Sequence, residues 1–79
     1  MKKQDKLFSL LECNGWEQSD RLECDGISYR FKRYEYYKDT AYKACYCALR
    51  RLTDLDLVDA CKRIYVQKEG TYYATYLEF

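Results

Sequence analysis

Apolar positions recur along the chain with a period that changes three times. Over residues 3–13, Leu7, Leu10 and Leu11 fall at helical spacing with Phe8 beside them, which predicts a helix. Asn14-Gly15 ends it, with Gly15 suited to a left-handed conformation. From Trp16 to Tyr37 the pattern becomes that of a β-hairpin, with Asp25-Gly26 as its turn signal. Before the turn, Trp16, Leu22 and Cys24 share one strand parity. After it, Ile27, Tyr29 and Phe31 alternate with Ser28, Arg30 and Lys32, as in a half-buried strand. The same parity carries Tyr34 and Tyr36 onto the face of Arg30 and Lys32.

A second helix is predicted over 39–53, capped by Asp39 or Thr40. Its apolar stripe is Ala41, Cys45, Ala48, Leu49 and Leu52, and Arg50 and Arg51 suit the negative end of its dipole. In 54–60, Leu55, Leu57 and Val58 are mixed with Asp54, Asp56 and Asp59, which is compatible with a short helical turn or an irregular connection. Residues 62–67 read as a strand, Glu69-Gly70 as a turn and 71–79 as a final strand. In that strand Tyr73, Thr75, Leu77 and Phe79 lie on one side, and Tyr72, Ala74, Tyr76 and Glu78 on the other. The expected fold is a single compact α+β domain over residues 1–79, in αββαββ order. Two helices would cover one face of a four-stranded antiparallel sheet, leaving the other to solvent or a partner. The turn glycines Gly26 and Gly70 stand 44 residues apart, which raises the idea of an internal duplication, although the residues of the two halves hardly match.

Ten of the 79 residues are tyrosine. A core this small cannot hold so many phenols, because each buried hydroxyl needs a hydrogen-bond partner. Several must lie on the surface, where tyrosine is a typical constituent of protein-binding patches and a possible stacking platform for bases.

The charge is near balance, with 14 basic and 13 acidic residues. A dedicated nucleic-acid binder carries a clear basic excess and a wholesale DNA mimic an acidic one. Five cysteines, an odd number, follow no secretory pattern, and no apolar run approaches the ~20 residues of a membrane span. The expectation is a cytoplasmic protein with reduced thiols and no membrane partner.

Little points to catalysis or metal. The chain has no histidine, the commonest general base and a frequent zinc ligand. The only close cysteine pair, Cys45-x-Cys47, lies in the second helix, where positions two apart diverge by roughly 200°. Cys13, Cys45 and Cys61 read as packing residues. Carboxylate pairs such as Asp54/Asp56 and Asp20/Asp25 belong to ordinary acidic loops. No catalytic, cofactor-binding or metal residue is assigned.

Two binding chemistries remain. Residues 29–37 interleave basic and aromatic side chains, as sheets that bind RNA do. Against that, Glu35 and the run Glu17, Asp20, Glu23 and Asp25 fall on the same hairpin and repel phosphate. Protein binding fits more of the pattern, because Tyr and Arg are enriched at interface hot spots. The candidate contact surface is Arg30, Lys32, Tyr34, Tyr36, Tyr72 and Tyr76. Acidic residues gather at 17–25 and 54–59, and basic ones at 30–33, 50–51 and 62–63, a segregation that steers association with an oppositely patterned partner. A homodimer through the open face would use the same tyrosines.

In size and style the chain resembles the compact proteins of phages and other mobile elements, anti-CRISPR proteins among them. No motif carries that resemblance, so no functional residue is transferred. What it implies is a non-enzymatic inhibitor, acting in the host cytoplasm, that blocks a larger protein target such as a nucleic-acid-handling defence complex. The alternative is a small nucleic-acid-binding module using the basic-aromatic strand.

Overall fold

The computed structural model describes the backbone of residues 3–23 and 26–79, and the side chains of these outside 19–28. Within it the chain runs α1 (Lys3–Cys13), β1 (Glu17–Glu23), β2 (Gly26–Glu35), α2 (Lys38–Asp54), a single 3-10 turn (Val58–Ala60), β3 (Arg63–Glu69) and β4 (Tyr72–Glu78). This is the expected αββαββ order, and the strands form one antiparallel sheet in the order β1-β2-β4-β3. Of the expected Asp25-Gly26 turn, Gly26 pairs with Glu23 and opens β2. Cys24 and Asp25, which the sequence pattern placed on the first strand and in the turn, lie outside the described residues.

Both helices end in the same way. At α1, the Gly15 N–H donates to Glu12 O (3.2 Å) and the Trp16 N–H to Leu11 O (3.0 Å), with Gly15 at φ +88°. At α2, the Asp56 N–H donates to Thr53 O (3.1 Å) and the Leu57 N–H to Leu52 O (2.8 Å), with Asp56 at φ +57°. These paired bonds satisfy the orphan carbonyls of the last turn and require a left-handed residue just past the helix. In each case the following residue, Trp16 or Leu57, folds back onto the core that holds Leu11 and Leu52. The start of α2 differs from expectation. Asp39 and Thr40 lie inside the helix, and Tyr37 occupies the capping position in extended conformation with no side-chain cap bond. Asp39 instead places its charge in the positive first turn.

One face of the sheet carries the core. Phe31 and Leu77, fully buried, meet Leu7 and Leu11 of α1 and Ala44, Ala48 and Leu52 of α2. Phe8 packs its ring against Tyr29, Phe31 and Phe79 at 4.8–5.7 Å. The buried side of α2 is Ala41, Ala44, Ala48 and Leu52, so Leu49, expected in the stripe, points outward at 40% exposure, and Cys45 is half-buried. Small residues let α2 approach the strands closely enough for the Thr75 hydroxyl, fully buried, to donate to Ala41 O (3.2 Å).

Topology also bears on the duplication. The first strands of the two hairpins begin at Glu17 and Arg63, and the second strands, β2 and β4, pair with each other at the centre of the sheet. The molecule is thus two αββ halves joined through β2 and β4. Gly26 and Gly70 are not equivalent, since Gly70 sits in its turn at φ +62° while Gly26 opens a strand.

Candidate functional site

Strand parity sends alternate residues to the face opposite the helices. Register then aligns them across the sheet. One row is Arg30, Glu78 and Arg63. The next is Glu17, Lys32, Tyr76 and Tyr65, and the one after it Tyr34, Ala74 and Gln67. At the far end Tyr72 pairs with Glu69, and Tyr36, just past β2, leans its ring on Tyr72. The six residues singled out from the sequence therefore share one outer face, which among the described residues no helix covers.

They are not equally available. Tyr36 is 71% exposed, Tyr34 45% and Tyr72 42%. Their rings form one cluster: Tyr34 meets Tyr72 edge-on at 6.1 Å, and Tyr36 meets Tyr72 at 5.2 Å. Tyr76, by contrast, is only 5% exposed, although it lies on the outer face. Its ring stacks on Tyr65 at 5.0 Å, the Arg30 guanidinium lies 5.0 Å from its centroid, and its hydroxyl donates to Glu69 Oε1. Tyr76 is thus the floor on which the contact residues stand rather than a ring a partner can grasp. Burial, and then the hydrogen bond to the Glu69 carboxylate, push its phenol up to about 12. Tyr65 is raised too, by burial and by its 2.8 Å hydrogen bond to Glu78.

The cations of this face rest on its rings. Arg30 lies over Tyr76, the Lys32 ammonium 4.8 Å from the Tyr34 centroid, and the Arg63 guanidinium 4.5 Å from that of Tyr65. Hydrogen bonding to the Tyr34 side chain raises the Lys32 pKa against a smaller opposing effect of burial, and the charges of Glu69 and Glu17 add to the rise. Three cations thus share the face with Glu17, Glu69 and Glu78, so that charge balances among the described side chains.

Two features escaped the sequence reading. Glu69 was assigned to a turn, but it ends β3 and stands beside Tyr34 and Tyr72, with which it lines a cleft of about 490 Å³. Its parity with Tyr65 and Gln67 was the available signal. On α2, Tyr42, Tyr46 and Leu49 are exposed at spacings of four and three, a second apolar stripe visible in the sequence once Leu49 is taken out of the core.

Between the helices a smaller cleft of about 260 Å³ opens beside Trp16, Arg33, Lys43, Cys47 and Arg51. Arg33 spans its end, donating to Asn14 O and from Nε to Glu35 at 2.7 Å. Cys13 and Cys47 are exposed, and Cys45 and Cys61 are half-buried thiols that burial pushes up; Cys24 lies outside the described residues. Among the described residues no three His, Cys, Asp or Glu side chains gather so as to hold a metal ion, and no helix is long and apolar enough to cross a membrane.

Compared with known proteins, the chain matches no family model, no curated protein and no solved structure.

Proposed function

We propose that this chain is a non-enzymatic module that binds a larger protein and blocks one of its surfaces, as inhibitors encoded by phages and mobile elements do against host defence complexes. The observation that carries the reading is the cluster of Tyr34, Tyr36 and Tyr72, all at least 42% exposed, on a sheet face opposite the core. Leaving three contiguous aromatic rings in water forfeits burial free energy that an interface recovers, and tyrosine is among the residues that dominate such interfaces. Binding works by occlusion: the rings fill shallow pockets on the target, and Lys32 and Arg30 answer its carboxylates at the margin.

The alternative, nucleic-acid binding, draws on the same interleaving of Arg30 and Lys32 with Tyr34 on β2. It is the weaker reading because these cations already sit on rings among the carboxylates of Glu17, Glu69 and Glu78, so little net field remains for a phosphate backbone.

The test compares three forms as bait in a host lysate: the natural chain, Tyr34→Ala/Tyr36→Ala, and Tyr42→Ala/Tyr46→Ala on α2. A protein captured by the first is then titrated against all three by calorimetry. The sheet-face double variant loses at least ~30-fold in affinity, equivalent to one hot spot, while the helix variant binds normally. Unchanged affinity in the sheet-face variant, with a normal circular dichroism spectrum, rejects this surface.

A further inference from the structure

The outer face follows a rule. Tyr34, Tyr65 and Tyr76 each carry one of the chain's own cations, at 4.5–5.0 Å from the ring centroid. Among the described residues no cation lies over Tyr36 or Tyr72. Glu69 is the matching remainder. Its Oε1 accepts a hydrogen bond from the Tyr76 hydroxyl, and among the described residues it forms no ion pair. It stands at the lip of the cleft whose other walls are Tyr34 and Tyr72, two rings that meet at 62° and so form a corner.

We infer that the Tyr34–Tyr72–Glu69 cleft is a receptor for a cationic side chain of the partner protein, an arginine above all. This rests on the protein-binding reading and specifies its chemistry. A cation seated in the corner meets the free Tyr72 ring and a carboxylate, and shares Tyr34 with Lys32. An anion meets Glu69 and is repelled. A purely apolar group desolvates Glu69 with nothing to replace the lost water. Between the two natural cations, the planar guanidinium both stacks on a phenol and pairs with a carboxylate through two N–H groups, which an ammonium cannot do at once. Tyr36, leaning on Tyr72 at 5.2 Å, holds that ring and extends the wall. Lys32 is the internal competitor: its ammonium already occupies Tyr34 and lies within the field of Glu69.

The experiment is a two-dimensional NMR titration of the isotope-labelled chain with three capped tripeptides, Gly-Arg-Gly, Gly-Gln-Gly and Gly-Glu-Gly. With the arginine peptide, saturable shifts centre on the amides of residues 34, 36, 69 and 72. Tyr72→Ala weakens that binding roughly two- to fivefold, as loss of one exposed cation–π contact does. Glu69→Gln, which keeps an acceptor for the Tyr76 hydroxyl, weakens it further. Lys32→Ala strengthens it by clearing Tyr34. Shifts from the arginine peptide no larger than those from the glutamine peptide at about 10 mM overturn the inference. So does tighter binding of the glutamate peptide than of the arginine peptide, which would mark the cleft as a site for anions. The two levels separate cleanly. If a captured partner is lost on Tyr34→Ala/Tyr36→Ala but binds Glu69→Gln unchanged, the interface stands and the arginine receptor falls. If the arginine peptide binds as described and no partner depends on Tyr34 and Tyr36, the receptor stands and the blocking function falls.

Discussion

Phe31 stands directly opposite Leu77 in the β2–β4 ladder, and both side chains are fully buried. This pair lies where the two αββ halves meet and where α1 and α2 both press on the sheet. Phe31→Ala is expected to cost about 3–5 kcal/mol and Leu77→Ala about 2–5 kcal/mol. Either approaches the total stability of a domain this small. Leu77→Met, which conserves volume, costs about 1 kcal/mol and leaves the fold intact. Urea midpoints at constant m-value check the series.

The two helix ends differ in one residue type, with opposite consequences. Gly15 and Asp56 both sit at positive φ just past a helix. A Cβ on Gly15 meets nothing within 4 Å, so Gly15→Ala is penalised by backbone strain alone, about 1 kcal/mol. Asp56→Gly relieves the same strain and should stabilise by about 0.5–1 kcal/mol. Thermal melts of the two variants should move in opposite directions by several degrees, roughly as expected for a domain of this length.

The buried hydroxyl of Thr75 makes a separable contribution. Thr75→Val keeps the volume and removes the donor to Ala41 O. That carbonyl sits within α2 and keeps its place in the helix ladder, so the loss should be about 1 kcal/mol, at the ordinary worth of one hydrogen bond. A loss of 3 kcal/mol or more, roughly the size of a cavity in the core, would contradict this assignment.

Tyr76 sets an alkaline limit. Its folded phenol lies at about 12, against about 10 when unfolded, so the folded state holds the proton more tightly. The stabilisation is therefore complete below pH ~10 and is lost as the pH rises through the folded value, with a total effect of order 2 kcal/mol. Absorbance titration near the tyrosinate band should show a late-ionising fraction that shrinks in Tyr76→Phe, with Tyr65 supplying the remainder, and the fall in stability between pH ~10 and ~12 should flatten with it.

Labelled single- and double-stranded oligonucleotides, titrated at two salt concentrations, are expected to show no salt-sensitive binding tighter than about 10 µM. Binding in that range that weakens with salt would favour the nucleic-acid reading instead.

Strand parity was the most legible feature of the sequence. It placed Arg30, Lys32, Tyr34, Tyr72 and Tyr76 on one face and Phe31, Thr75 and Leu77 on the other, because a period of two leaves no intermediate choice. What parity cannot supply is the order of the strands. Tyr76 is covered because β4 lies between β2 and β3, which brings Arg30 and Tyr65 over its ring from either side. The misread positions on α2 have a different cause. Leu49 is more apolar than Ala44, but close approach of the helix to the sheet selects the smaller side chain and turns the larger one out.

The sheet order has one more consequence. Its two rims are β1 and β3, whose outer peptide groups could template another strand. The rim sequences are dense in charge, with Glu17, Asp20, Arg21 and Glu23 along one and Arg63, Lys68 and Glu69 along the other. Side-by-side growth into fibrils is disfavoured at both margins.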